Sequence, residues 1–490
     1  MLFNSYVFIF AFLPTVLLAY FFINNHAGPR WAKFWLLSAS IFFYGYWNPV
    51  YLLLLGSSIA VNFTASVAME RAGEQERSLL KKRILIATIL FNVGLLGYFK
   101  YRDFFVGSVN FALGTEFPLL YMALPLAISF FSLQQIAFAV DSYKGLTQEK
   151  SFADYMLFVS FFPQLIAGPI VHHKEVMPQF AETENKSFNI NNFTAGCFMF
   201  AVGLFKKVVI ADNFAGWANY GFDVAPSLNV VEAWVTSLSY SFQLYFDFSG
   251  YSDIAIGLAL MFNIVLPLNF NSPYKAASII NLWQRWHLTL TRFINLYVYR
   301  PVLRARKQRG FSFAWAMFAT VVAMEVSGIW HGAAWTFVVF GFMHGFGLVI
   351  NHIWRRLKWP FPEWLGWFIT FNFANISLVL FRAQDWATVG KVLSSMFGFG
   401  DGGFTLQKAL FFQDNMLFQL VDKPNYDLFA TALACSTVLF FVGIVRLSPN
   451  SQELRERSQL NWRWLLFQLI AFLIPLTLLQ QVNQFIYFQF

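Results

Sequence analysis

The chain has 490 residues, of which 58% are hydrophobic and 20% aromatic, including 63 phenylalanines. Charged residues make up 12% of the chain, about half of the roughly 25% found in soluble domains, and the mean hydropathy is +0.53. This composition excludes a soluble enzyme and predicts a polytopic membrane protein. The net charge of +9 does not indicate nucleic-acid binding, because the basic residues lie in short loops between apolar runs.

Apolar runs of roughly 20 residues, the length that crosses a bilayer as an α-helix, recur along the whole chain. Continuous runs favour helices over the alternating pattern of a membrane β-barrel. We predict an all-α protein with about eleven transmembrane helices, together with re-entrant and interfacial helices, in a single domain over residues 1–490. The first run, residues 2–23, has no cleavage-site pattern and is interpreted as a retained helix.

Basic residues are grouped in short segments, as the positive-inside rule describes. They follow the first span at Arg30 and Lys33, and denser groups lie at residues 71–83, 300–309 and 355–358. We predict that these segments are cytoplasmic, which places both the N-terminus and the C-terminus outside the cytoplasm.

Two apolar runs contain residues that a straight, lipid-facing helix does not accommodate. Residues 118–140 carry two glutamines and end at Asp141, and residues 152–171 contain Pro163, Gly168 and Pro169. Polar side chains within a span must face protein or water, so these runs predict packed or broken segments buried in the protein.

The run at residues 230–262 is too long for one untilted span and carries Asp247 and Asp253. Two carboxylates in an apolar helix indicate either a water-lined cavity, where they could serve acid–base or cation chemistry, or tight pairing with cations. We favour pairing with nearby cationic side chains.

Residues 274–299 show apolar positions at spacings of three and four, which predicts an amphipathic helix lying in the membrane interface. His287 falls on its apolar face. A lone histidine there is more often a satisfied core residue than a catalytic one. The helix leads into the basic segment 300–309, so we expect His287 near the cytoplasmic side.

A second histidine, His331, lies between two apolar runs, at residues 311–329 and 336–350. A histidine in membrane-spanning sequence is costly to bury and is a functional-site hypothesis by default. The alternative is a buried histidine bonded to a neighbouring helix. The two runs form a hairpin that returns to the basic segment 355–358. We therefore expect His331 at the end of the hairpin that lies away from the cytoplasm.

No phosphate-binding loop, dinucleotide fingerprint, nucleophile elbow or zinc-ligand spacing is present, so no metal site is predicted. The two cysteines, Cys197 and Cys435, both lie in apolar runs and suggest no disulfide framework. Histidine is the natural general base near neutral pH.

Several motifs occur in a fixed order: residues 124–131 running to 141–143, 162–169, 246–253, 269–274, 283–290, and 330–332 with 344–345. Together they resemble the membrane-bound O-acyltransferase family, in its alginate O-acetyltransferase branch, over nearly the whole chain. At residues 293–297 the chain lacks the Arg-Asp pair that is usual in the family.

The resemblance implies helices around a central acyl-transfer channel, with His331 as the catalytic histidine and His287 as the second signature histidine. It implies a multi-pass protein of the bacterial inner membrane, in contact with lipid and without a bound cofactor. Cytoplasmic acetyl-CoA would be the acyl donor, and Arg300 and Arg304 would suit the phosphates of CoA or serve only as topology determinants. The candidates for lining the channel are Trp330, Trp335, Asp247, Asp253, Trp283 and Trp286.

The resemblance also implies O-acetylation of an extracytoplasmic polysaccharide, reached indirectly through an extracytoplasmic acetyltransferase partner. Alginate, peptidoglycan, cellulose and other exopolysaccharides all stay open as the final acceptor. A transporter with broken helices at mid-membrane is an alternative. Another is a non-catalytic membrane scaffold of a polysaccharide-modifying complex, which predicts that replacing His331 leaves acetylation intact.

The last six residues, 485–490, contain four aromatic residues and an isoleucine around one glutamine. An exposed apolar end of this kind should dock on the protein or in the membrane interface. If it docks at the active site, Tyr487 is the candidate acyl acceptor and would carry the acetyl group as a covalent intermediate.

Overall fold

The computed structural model describes residues 1–147, 151–166, 168–182, 184–306, 310, 312–400, 423–458, 461–479 and 485–486. Every regular element in these ranges is a helix. The chain divides into two compact units: residues 1–204, 251–268 and 458–490 form the first, and residues 205–250 and 269–457 form the second.

The first unit contains ten helices of the N-terminal half and one near the C-terminus: α1 (Leu13–Ala27), α2 (Pro29–Gly45), α3 (Val50–Glu74), α4 (Ser78–Leu96), α5 (Arg102–Leu113), α6 (Ile128–Tyr143), α7 (Phe152–Ser160), α8 (Phe162–Leu165), α9 (His173–Ala181), α10 (Ile190–Phe205) and α22 (Trp462–Leu478).

The second unit contains the remaining helices, of which α12 continues into the first unit after Gly250: α11 (Asp212–Asn219), α12 (Val230–Met261), α13 (Ile279–Trp283), α14 (Leu288–Ile294), α15 (Arg300–Arg304), α16 (Phe313–His331), α17 (Trp335–Leu357), α18 (Glu363–Arg382), α19 (Trp386–Met396), α20 (Lys423–Leu447) and α21 (Ser451–Arg457).

Seven helical stretches among the described residues are long and apolar enough to cross a membrane: Phe8–Ala27, Val50–Glu74, Ser78–Leu113, Ile190–Val224, Phe313–His331, Trp335–Leu357 and Glu363–Arg382. An eighth would be the pair Ala432–Leu447 and Ser451–Arg457, which bends by 60°. The chain is therefore an all-α, multi-pass membrane protein.

The count among the described residues is lower than the roughly eleven spans predicted from apolar runs, because α2 and α22 have only 17 residues each and α6 has 16. α6 begins only at Ile128, although its apolar run starts at residue 118. The run at 152–171 divides into α7 and the one-turn helix α8, with a break at Phe161. The predicted broken segment is confirmed.

Polar residues of α6 point into the protein, as a membrane-embedded helix requires. Gln135 is fully buried and donates a hydrogen bond from Nε2 to Ser58 Oγ at 2.9 Å. Its Oε1 accepts from the hydroxyl of Tyr155 at 3.2 Å. These hydrogen bonds join α6 to α3 and α7, so the buried glutamine holds three helices together.

The carboxylate of Asp247 is paired with a cation, as expected. Lys207 Nζ lies 2.7 Å from an oxygen of Asp247 and 2.7 Å from one of Asp212, and the lysine side chain is 2% exposed. Asp247 therefore serves to hold α12 against the stretch before α11. Asp253 is buried in the first unit, and its place in a channel stays a prediction.

The amphipathic helix predicted over residues 274–299 is wrong. The chain forms a short turn at Pro273–Lys275, then α13, and then a break at His287, whose φ is +43°. α13 ends at Trp283, and residues 284–287 separate it from α14. The last of them, His287, has a left-handed backbone, which is strained at a residue other than glycine. His287 thus stands in the break, directly before α14.

The hairpin of α16 and α17 brings two glycines into backbone contact. A Cβ atom at Gly328 would lie 2.6 Å from the carbonyl oxygen of Phe337 and 2.7 Å from the Cα of Gly341. Small residues allow this close packing of membrane helices. The packing fixes the end of α16, where His331 is the last residue.

We predict that Lys207→Met strongly destabilises the protein. The change leaves Asp247 as a buried carboxylate without its cation, which costs about 3–5 kcal/mol. Thermal unfolding of the detergent-solubilised protein measures the loss. Lys33→Met is the matched control, because the side chains of its pair with Asp154 are 25% and 18% exposed, so we expect a smaller loss of stability. Equal unfolding curves for both variants would contradict the assignment.

Candidate active site

His331 is anchored by its own helix. Its side chain is 3% exposed, and its Nδ1 lies 2.6 Å from the carbonyl oxygen of Ser327, one turn earlier in α16. Because a carbonyl oxygen can only accept, Nδ1 carries the ring proton. The lone pair of the neutral imidazole is therefore on Nε2, the atom that can take a proton from a substrate.

His287, in the break before α14, is anchored by a side chain that lies earlier in the sequence. It is fully buried, and its Nδ1 lies 3.0 Å from Asn269 Oδ1. The hydroxyl of Thr289 also donates to this Asn269 oxygen, at 2.9 Å. The oxygen is therefore the acceptor in the hydrogen bond with His287. His287 therefore also carries its proton on Nδ1 and its lone pair on Nε2.

Asn269 holds the break around His287 through its backbone as well. Its carbonyl oxygen accepts from the backbone N–H of Leu288 at 2.9 Å. One asparagine thus fixes both the ring orientation of His287 and the start of α14. Sequence reasoning did not identify Asn269 as a site residue, although it opens the motif at residues 269–274.

The two histidines belong to one site. Their ring centroids are 6.3 Å apart, and Trp330 contacts both, at 5.1 Å from His331 and 6.1 Å from His287. The expectation that His287 lies apart from His331 is wrong, whereas its position relative to the cytoplasm stays a prediction. Arg300 follows His287 by 13 helical residues, which corresponds to about 20 Å of helix.

Aromatic rings surround the pair. Phe248 lies 4.8 Å from His287 in an edge-to-face contact, and Phe381 lies 5.2 Å from His331. Phe340 contacts both His331 and Phe381. These rings keep bulk water away from the two imidazoles and hold their planes in place, so the site favours reactions in which a reactive group must not meet water.

A third buried histidine, His344, lies on α17 and is tied up by hydrogen bonds. Its Nδ1 accepts from Trp283 Nε1 at 3.2 Å, and its Nε2 lies 2.9 Å from Ser377 Oγ. Both ring nitrogens are engaged, so His344 has no lone pair to offer as a base. It lines a cavity of about 30 Å³ together with Trp286 and Phe340.

The predicted channel-lining tryptophans have different environments. Trp330 contacts both histidines, and Trp283 and Trp286 line the small cavity beside His344. Trp335, at the start of α17, is 55% exposed. Arg300 and Arg304 are exposed on α15, where a soluble ligand can reach them.

The C-terminal end is described only at Phe485 and Ile486, so the predicted acceptor Tyr487 lies outside the described residues. Phe485 is 1% exposed and stacks on Tyr251 with ring centroids 4.4 Å apart. Ile486 is 4% exposed. The start of the aromatic tail is therefore docked within the first unit of the protein, as an apolar end requires.

A buried pair of histidines in an all-α, multi-pass protein is an arrangement that can supply a general base inside a membrane. Residues 122–384 match the family model described as MBOAT, membrane-bound O-acyltransferase family. The chain belongs to this family and is a membrane O-acyltransferase.

Three relatives illustrate the match. The chain is 42% identical to a peptidoglycan O-acetyltransferase of Helicobacter pylori, covering 94% of this chain and 92% of that protein. It is 36% identical to a probable alginate O-acetylase AlgI of Pseudomonas aeruginosa, covering 82% and 75%. It is 28% identical to a teichoic acid D-alanyltransferase of Streptococcus thermophilus, covering 52% and 68%.

We predict that His287→Asn lowers turnover without raising the Michaelis constant of the acyl donor. Asparagine tolerates the left-handed backbone at this position better than alanine, so the break before α14 should persist. Because His287 contacts the same tryptophan as His331, its loss should affect the chemical step, by at least about tenfold. Steady-state kinetics of the variant measure both quantities. A raised Michaelis constant of the acyl donor with unchanged turnover would instead place His287 at the donor entrance.

Proposed function

We propose that this enzyme transfers an acetyl group from cytoplasmic acetyl-CoA across the bacterial inner membrane for O-acetylation of a cell-surface polysaccharide. The observation that carries the proposal is the buried pair of His331 and His287, with ring centroids 6.3 Å apart. General-base catalysis on a hydroxyl is the chemistry that such a pair supplies in an O-acyltransferase.

In the proposed reaction, His331 Nε2 takes the proton of an acceptor hydroxyl as its oxygen attacks the thioester carbonyl. The new carbon–oxygen bond forms, the carbon–sulfur bond breaks, and the proton passes from the imidazolium to the departing CoA sulfur. The hydrogen bond from Nδ1 to Ser327 keeps Nε2 turned to the same place during both transfers. The aromatic shell protects the thioester from hydrolysis.

The donor would enter from the side of the basic segment that contains Arg300 and Arg304. Both side chains are exposed, and guanidinium groups bind phosphate oxygens in a bidentate manner. The distribution of basic residues supports a cytoplasmic location for this segment. In that orientation, the N-terminus and the C-terminus lie outside the cytoplasm.

We infer that the final acceptor is a glycan of the peptidoglycan type. The Helicobacter pylori relative with that activity matches 92% of its own length at 42% identity, whereas the AlgI relative matches 75% at 36%. An extracytoplasmic acetyltransferase partner would then move the acetyl group from the membrane enzyme to the glycan. Tyr487 would be the covalent relay between the two.

We predict that His331→Ala abolishes acetyl transfer. Removing the base lowers the rate by about 10²–10⁴-fold, while the helices that surround it stay packed. The measurement is labelled acetate in the isolated cell-wall glycan of cells that express the variant at wild-type level. His26→Ala is the matched control, because His26 is exposed and bonds only within its own helix in the described structure.

A His331→Ala variant that labels the glycan at the wild-type rate would refute the catalytic role and revive the scaffold. Labelled acetate carried through the membrane without transfer to any acceptor would favour the transporter.

We predict that Tyr487→Phe loses activity as fully as deletion of residues 485–490. Under the relay the hydroxyl oxygen forms the ester bond, so its removal is sufficient. The readout is labelled glycan together with mass spectrometry of the C-terminal peptide, which should gain one acetyl group in the wild type. Tyr6→Phe is the control for a lost aromatic hydroxyl elsewhere. If only the deletion is harmful, the tail is an anchor.

A further inference from the structure

Asp141, His172 and His173 form a compact cluster in the first unit, and none of them belongs to the histidine pair. Asp141 lies near the end of α6, His172 directly precedes α9, and His173 is its first residue. Asp141 Oδ2 is 2.8 Å from His172 Nε2 and 3.2 Å from His173 Nε2. Asp141 and His173 are buried, and the His172 side chain is 17% exposed.

The spacing of these atoms is close to that of ligands around one metal ion. The three ligand atoms all lie within 4.8 Å of one another. Two ligands bound to a tetrahedral Zn²⁺ at about 2.0 Å each are separated by about 3.3 Å. The 3.2 Å distance from Asp141 Oδ2 to His173 Nε2 is close to this value, and the 2.8 Å distance to His172 Nε2 has to lengthen when an ion binds.

We propose that Asp141, His172 and His173 bind a divalent transition-metal ion, with Zn²⁺ as the best match to two imidazoles and one carboxylate. A water molecule would complete the tetrahedron. The sequence did not predict this site because two adjacent histidines and an aspartate 31 residues earlier match no common ligand spacing.

Binding exchanges hydrogen bonds for coordination bonds. Each neutral ring uses the lone pair of Nε2 for the metal, so its proton moves to Nδ1. His172 Nδ1 now accepts a long bond of 3.3 Å from the backbone N–H of Lys174, which would be given up. Lys144 Nζ lies 3.7 Å from the other oxygen of Asp141, Oδ1, and can stay there.

The ion would cross-link the end of α6 to the start of α9. Between these points lie α7 and α8. A metal ion that closes such a loop lowers the conformational entropy of the unfolded chain and thereby stabilises the folded protein. The end of α6 lies beside the basic segment 71–83, because Lys81 Nζ is 5.6 Å from the ring of Tyr143.

The test uses the full-length protein in detergent, with any affinity tag removed, stripped with a chelator and then titrated with Zn²⁺ or Co²⁺. We expect one bound ion per chain by elemental analysis and visible Co²⁺ bands of a tetrahedral site. We also expect a chelator to lower the melting temperature. Asp141→Asn and the double variant His172→Ala/His173→Ala should lose binding and the chelator effect, whereas His26→Ala should keep both.

Substoichiometric metal in the wild type, or equal binding in the double variant and the wild type, would overturn the proposal. If the double variant does not fold, the Co²⁺ spectrum and the chelator effect of the wild type decide by themselves. Octahedral Co²⁺ bands or an unchanged melting temperature would also contradict the site. The readout does not require acetyl transfer, so this test can fail while the proposed function stands.

Discussion

A polar group that this chain carries into the membrane is costly unless it finds a partner in the protein or in water, because lipid offers none. This constraint explains why Gln135 joins three helices, and why Lys207 is held between two carboxylates. It also explains the geometry of the active site. Both catalytic candidates take their first hydrogen bond from the protein itself, and that bond decides which ring nitrogen can react.

Much of the fold could be predicted from composition and charge. Long apolar runs predicted a helical, multi-pass protein, and Pro163 with Gly168 predicted the broken segment after α7. Periodicity failed at residues 274–299, where apolar residues at spacings of three and four indicated one continuous helix. The break at residues 284–287, which ends in the left-handed backbone of His287, has no signal in periodicity, because the apolar positions on both sides of it continue the same pattern.

The site shows the same limit. His331 could be identified from its position in membrane sequence, and His287 from its motif, but their proximity could not. It depends on the break at His287 and on Asn269, a contact across 18 positions of sequence. The cluster at Asp141 is similar, since its side chains meet although 31 positions of sequence separate Asp141 from His172. Contacts between distant residues follow from packing, and local patterns do not report them.

Two histidines with lone pairs on the same ring atom raise the question of which one takes the proton. The base becomes an imidazolium during the reaction, so the field around it matters. His331 is the last residue of the 19-residue helix α16, where the negative end of the helix dipole stabilises a cation. His287 directly precedes the N-terminus of α14, where the positive end opposes one. Each effect reaches up to about 2 kcal/mol in partly buried sites. Both act in the same direction, so we infer that His331, rather than His287, takes the proton.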